Sequence, residues 1–163
     1  MKAAMHTSSI YRRQRVAGPC LPPSGWFAMP DDDPAPASAP KLRKVLVIDD
    51  QPDLADLVGA LLCGHGLDAR VAHSALEALA ILETDPEIDA IFSDVMMPGM
   101  NGLQLAEAVR HLYPNVNIVL TTGFTSLSLM ATRGLPYPCV AKPYRIETVI
   151  DLLKSQTRRL ADS

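Results

Sequence analysis

Three carboxylates, two hydroxyls and an amine stand at the ends of short apolar runs in this chain of 163 residues. Asp49 and Asp50 follow K-V-L-V-I, Asp94 follows a run ending A-I-F-S, Thr121 and Thr122 close the run N-I-V-L, and Lys142 follows C-V-A. Three carboxylates brought together repel one another, and the simplest remedy is a hard divalent cation with oxygen ligands. Mg²⁺ suits such a set. A site of this composition can accept a phosphoryl group: the cation and Lys142 neutralise its oxygens, Thr122 donates a hydrogen bond, and one carboxylate acts as nucleophile. Phosphoryl transfer asks mainly for positioning and charge stabilisation, which these groups supply.

Convergence of four separate positions requires a fold that delivers strand ends to one edge. From Lys41 onward, apolar runs alternate with segments of helical period, the pattern of βα units around a parallel sheet. Strands are expected at 44–48, 68–73, 88–93, 117–121 and 139–141. Helices are expected at 52–63, from 74 to Pro86 with Ser74 and Glu77 as a capping box, from Asn101 or Gly102 to Tyr113, at 125–133, and at 145–160. In open α/β sheets the ligand sits beyond the carboxyl ends of the strands, where strand order reverses. The six residues above all fall there.

Composition bounds the rest. Apolar residues make up 48% and charged residues 20%, enough for one domain with a core, and seven of the 14 prolines fall in residues 1–40. That leading segment ends M-P-D-D-D-P-A-P-A-S-A-P, which forms neither helix nor ladder, so residues 1–40 are expected to be disordered and to add little stability. Trp26 and Phe27 are the exception in it, weighed as a solvated pair rather than a docking contact. Met29 offers a second plausible start. The domain proper is expected at 41–163, with no output domain after it. A net charge of −3 gives no general reason to approach nucleic acid or an anionic membrane, and no apolar stretch is long enough for a signal peptide or a membrane span. Three scattered cysteines (Cys20, Cys63, Cys139) suggest neither a disulfide framework nor a zinc site, so a cytoplasmic protein is expected.

Taken together, I-D-D at 48–50, D-V-M-M-P-G-M-N-G at 94–102, T-T-G at 121–123 and K-P-Y at 142–144 resemble the receiver domain of two-component response regulators, over about residues 42–160. The motifs occur in the family's order, and Asp50 and Asp94 stand at its typical spacing. The resemblance implies a flavodoxin-like, doubly wound sheet of five parallel strands, order 2-1-3-4-5, with helices on both faces. It also implies Asp94 as phosphoacceptor, and Mg²⁺ held by Asp49, Asp50, Asp94 and the backbone carbonyl of Met96. Thr122 becomes the switch hydroxyl, with Thr121 as alternative, Lys142 pairs with the phosphoryl oxygens, and the Lys142–Pro143 bond is a candidate cis peptide. A histidine kinase or histidine phosphotransfer protein would donate the phosphate. A protein target would then read the fourth helix, fifth strand and last helix, in a protein that is no enzyme beyond its own phosphorylation and slow dephosphorylation. Met96 and Phe124, apolar neighbours of the phosphate, are expected to keep hydrolytic water out.

One departure stands out. The family often has an aromatic residue three positions before its lysine, and here that position is Cys139, with Tyr137 as a possible substitute. Local readings also compete: Asp49 and Asp50 as helix caps, Asp94 as a turn former, Gly99 and Gly102 as loop glycines, and the histidines as locally bonded surface residues. Two other functions compete with this one. A pseudo-receiver that never takes phosphate would lose an acidic or lysine position, and none is lost. A phosphatase of the haloacid dehalogenase class needs a second Asp two residues after its nucleophile, where this chain has Met96.

Overall fold

The protein, in a computed structural model, is described over residues 41–123 and 136–161. Five strands, β1 (Lys44–Ile48), β2 (Asp68–Ala72), β3 (Ala90–Asp94), β4 (Asn117–Gly123) and β5 (Cys139–Lys142), form one sheet in the order β2-β1-β3-β4-β5. Every pairing is parallel. Four helices are described: α1 (Pro52–Gly64), α2 (Ala75–Thr84), α3 (Gly102–Leu112) and α4 (Ile146–Ala161). The helix expected at 125–133 lies outside the described residues, as do Trp26, Phe27 and Phe124.

Side-chain alternation divides the core into two layers. Val45, Val47, Ala90, Phe92, Val119 and Val140 point to one face, where Val58 and Leu62 of α1 and Val149, Ile150 and Leu153 of α4 cover them. Leu46, Ile48, Ile91, Ile118 and Leu120 point to the other, under Ala78 and Leu82 of α2 and Leu105, Ala106 and Val109 of α3. Burial on both faces explains why β1, β3 and β4 read as nearly continuous apolar runs. Edge strand β2 is half exposed and correspondingly mixed in sequence.

Three strands run further at their carboxyl ends than the sequence suggests, β5 by taking in Lys142. Asp94 is the last residue of β3, which starts at Ala90 rather than at Ile88, and β4 continues through Gly123, so both threonines lie within the strand. Parallel partners on either side carry β4 on, since Thr121 pairs with Asp94 and Val140, and Thr122 with Ala141. Ser74 caps α2 by accepting from the Glu77 amide, but the Glu77 carboxylate reaches back to the His73 amide instead of closing the box on Ser74. The full reciprocal box occurs at α3, between Asn101 and Gln104.

Candidate phosphoryl-acceptor site

The chain leaves β1 toward one edge of the sheet and enters β3 on the other side of it, which opens a crevice at their carboxyl ends. Asp49, one residue past β1, and Asp94, ending β3, flank this crevice and are both buried. With Asp50 they form a cluster in which one carboxylate oxygen from each lies within 4.8 Å of the others. Lys142 arrives from β5 and bridges two of them, its Nζ 2.9 Å from Asp49 Oδ2 and 3.0 Å from Asp94 Oδ2.

Backbone amides hold the second oxygens. Gln51 N–H donates to Asp49 Oδ1 at 3.0 Å, and Met96 N–H donates to Asp94 Oδ1 at 3.2 Å. The reading of Asp49 and Asp50 as caps of α1 therefore fails: the N-cap is Gln51, and no side chain caps that helix. Asp94 does shape its own turn through Met96, so the local reading holds for that residue. Charge is only partly compensated within the cluster, with one ammonium against three carboxylates. Burial works against the Lys142 ammonium, but hydrogen bonds and attraction from Asp49 and Asp94 outweigh it and raise its pKa above the ordinary lysine value. The stabilisation from this raised pKa is fully present below the ordinary lysine value and fades only as pH rises through the higher folded one, so Lys142 is cationic throughout the neutral range.

Both strand-four hydroxyls, Thr121 Oγ1 and Thr122 Oγ1, are buried and have no hydrogen-bond partner among the described residues. A buried hydroxyl left unpaired costs about 1–3 kcal/mol. Thr121 lies opposite Asp94 in the sheet, whereas Thr122 lies one residue further along β4, beyond the strand end from which Asp94 projects. Alternation puts Thr122 on the face of Leu120, the face shared by Cys139 and Ala141 of β5.

Cys139 is half buried, and burial pushes its thiol pKa up, so it is a neutral small group at neutral pH. Tyr137 lies before β5, yet its ring packs on the same apolar cluster as Cys139. The Lys142–Pro143 peptide is cis, as expected. Among the loop methionines, Met97 is buried and Met100 packs against the core, while the Met96 side chain is 63% exposed. His65, His73 and His111 are all exposed and apart from the cluster.

Sequence reasoning assigned no role to two positioning features and the wrong one to a third. The Gln51 amide is invisible in a side-chain pattern. Tyr144, part of the K-P-Y motif, sets its ring edge-on against Phe92 with centroids 5.3 Å apart, which ties the segment after Lys142 to the strand that carries Asp94. Gly102 was read as a loop glycine whose backbone other residues cannot adopt; that holds for Gly99, at φ +73°, but not for Gly102. What Gly102 provides is a close approach: a Cβ there would collide with the carbonyl oxygen of Asp94 and lie 2.8 Å from Val95 Cα. An aliphatic run followed by D-x-x-x-P-G-x-x-G is the available sequence signal.

Comparisons with known proteins agree with this geometry. Residues 45–154 match the family model for the response regulator receiver domain, and the chain belongs to that family. It is 32% identical over 124 residues to the DNA-binding response regulator MtrA of Mycolicibacterium smegmatis, covering 74% of this chain and 53% of that protein. It is also 32% identical over 125 residues to the regulatory protein VanR of Enterococcus faecium, covering 71% and 50%. The chain thus spans about half the length of these relatives. Among solved structures, a response regulator receiver domain protein from Clostridium thermocellum superposes with a TM-score of 0.65 at 24% identity, over 73% of this chain and 97% of that one. The chemotaxis protein CheY4 of Vibrio cholerae gives 0.59 at 28%, over 71% and 99%.

Proposed function

We propose that this receiver domain takes a phosphoryl group on Asp94 and passes the signal to a partner protein by a change of conformation. The observation that carries the reading is the cluster of Asp49, Asp50 and Asp94 with Lys142 bridging the first and third. Oxygen donors of this kind fit Mg²⁺, with Asp49, Asp50, Asp94 and the Met96 carbonyl as the residues that would hold it. Bound there, the ion would supply positive charge against the carboxylates and the phosphoryl oxygens.

Asp94 Oδ attacks phosphorus as the bond from phosphorus to the donor breaks, leaving an acyl phosphate and a free donor imidazole. Lys142 is poised to transfer its hydrogen bond from the Asp94 carboxylate to a phosphoryl oxygen, and Thr122 finds in another oxygen the acceptor its buried hydroxyl lacks. Gain of that bond draws Thr122 toward the site and vacates room on the Cys139 face, where Tyr137 takes the part that an aromatic ring usually plays in the family. A histidine kinase or histidine phosphotransfer protein is the donor. The reader is a cytoplasmic protein that recognises β5, α4 and the segment at 125–133. The word DNA-binding describes MtrA as a whole, and this reading assigns no nucleic acid to the receiver itself. No helix among the described residues is long and apolar enough to cross a membrane.

The direct test is mass spectrometry after treatment with acetyl phosphate and Mg²⁺. One added phosphate is expected, stable in acid and released by alkali; no addition would leave a non-phosphorylated interaction module as the better reading. Mg²⁺ should also raise the melting temperature, since a ligand at a hundred times its Kd stabilises by about 2.7 kcal/mol. Asp50→Ala is expected to remove that shift, and an undiminished shift in the variant would place the ion elsewhere.

Lifetime is a separate expectation. The Met96 side chain follows Asp94 by two residues and cannot orient water, and Phe124, outside the described residues, stands likewise after Thr122. Self-dephosphorylation should therefore be slow, and Met96→Asn or Phe124→Glu should speed it, because placement of the attacking group is worth up to about a hundredfold in rate. Decay no faster than wild type in both variants would show that these side chains do not control the water.

A further inference from the structure

We propose that a cleft at the opposite end of the sheet receives Trp26 and Phe27 of this chain's own N-terminal segment. The cleft has a volume of about 320 Å³ and lies between the α2–β3 and α3–β4 connections, lined by Leu82, Ile88, Leu112, Tyr113 and Val116 with Asp85 and Glu83. Ile88 stands two residues before the start of β3 and Val116 one residue before that of β4, so the cleft lies a full strand length from Asp94. Leu112, at its edge, is 64% exposed although large and apolar. The volume is in the range of pockets that enclose drug-sized ligands, and it matches one or two aromatic rings.

The occupant follows from where the described residues begin. Lys44, three residues after Lys41, holds Asp85 of the cleft at 2.8 Å. Arg43 N–H donates to Asp89, which adjoins Ile88, at 2.7 Å. The leading segment therefore joins the domain beside the cleft. The segment from Phe27 to Lys41, with four prolines, spans on the order of 20 Å as a flexible coil and up to about 43 Å when the prolines hold it extended, against a radius of gyration of roughly 13 Å for a domain of this size. Tethering at that range gives an effective concentration on the order of millimolar, so a weak apolar contact is enough to fill the cleft. Sequence alone favoured a solvated pair because it displays no receptor for two rings, and the cleft supplies that receptor. Remote from Asp94, the contact leaves phosphoryl transfer free and covers a surface on which other proteins would otherwise compete.

Trp26 is the single tryptophan of the chain, so its fluorescence reports on the contact directly. In the full chain, emission is expected to the blue of the urea-unfolded protein and acrylamide quenching several-fold weaker, both unchanged on dilution. Leu112→Glu, at an exposed position, should return both to the unfolded values with the far-ultraviolet circular dichroism intact. In a second measurement that does not depend on that variant, Trp26→Ala should lower the melting temperature by several degrees. The proposal is overturned by unfolded-like emission in the native chain, by protection that Leu112→Glu leaves unchanged in a folded variant, or by a Trp26→Ala melting temperature equal to wild type. Protection lost on dilution would assign the cleft to the segment of a second copy and overturn occupancy by the chain's own.

Discussion

Asp94→Asn is expected to abolish phosphate uptake altogether, from acetyl phosphate and from any histidine donor. The substitution keeps the size of the side chain and one oxygen that can still accept from the Met96 amide, so the fold should survive. What it removes is the second carboxylate oxygen, the proposed nucleophile. It also removes one of the two anions that Lys142 bridges, at 3.0 Å. Two of the three acids remain to compensate the ammonium, among them Asp49 at 2.9 Å. Relief of carboxylate crowding offsets the lost ion pair, so the melting temperature should change little, in contrast to the cost of stranding a buried charge. Persistent label on the Asn variant, or label on a histidine, would defeat the assignment of Asp94.

The second large effect is structural. Gly102→Ala should destabilise the domain by about 3 kcal/mol, at the upper end of what overpacking usually costs, because the added methyl meets backbone rather than a side chain that can turn away. Asp94 O and Val95 Cα occupy its place, and Gly102 N–H bonds Val95 O at 3.0 Å, so α3 cannot withdraw without losing its anchorage to the end of β3. A fall in melting temperature on the order of 10 °C corresponds to this cost. Phosphorylation should slow as well, since the clash pushes on Asp94, the proposed acceptor. Gly99→Ala is the contrast: nothing lies within 4 Å of a Cβ there, and the cost is the left-handed backbone alone, about 1–2 kcal/mol. A Gly102→Ala protein that melts within a couple of degrees of wild type and takes phosphate at the normal rate would show that the helix is not held at that distance.

Period and composition carried the architecture. The apolar runs at β1, β3 and β4 are continuous because both faces are buried, and that is legible without coordinates; so is the mixed character of the edge strand β2. Element ends were less legible. β4 runs on through Thr121 and Thr122 because Asp94, Val140 and Ala141 on adjacent strands offer it partners, and a strand's own residues do not announce its neighbours' ends.

For the site, residue chemistry and order along the chain were enough to nominate Asp49, Asp50, Asp94, Thr122 and Lys142, since acids, hydroxyl and amine at successive strand ends must meet if the sheet is doubly wound. Tertiary structure alone decided how they meet. Lys142 bridges Asp49 and Asp94; the Gln51 and Met96 amides take the remaining oxygens; Tyr144 packs on Phe92; and Gly102 is required by contact rather than by backbone angle. The physical reason is common to all four: hydrogen bonds and steric exclusion act over about 3 Å, between atoms whose distance along the chain carries no information about their distance in space. Strand period and helix period are local properties, written in neighbouring residues, whereas the approach of α3 to the end of β3 is a property of two surfaces that exist only once the sheet has formed.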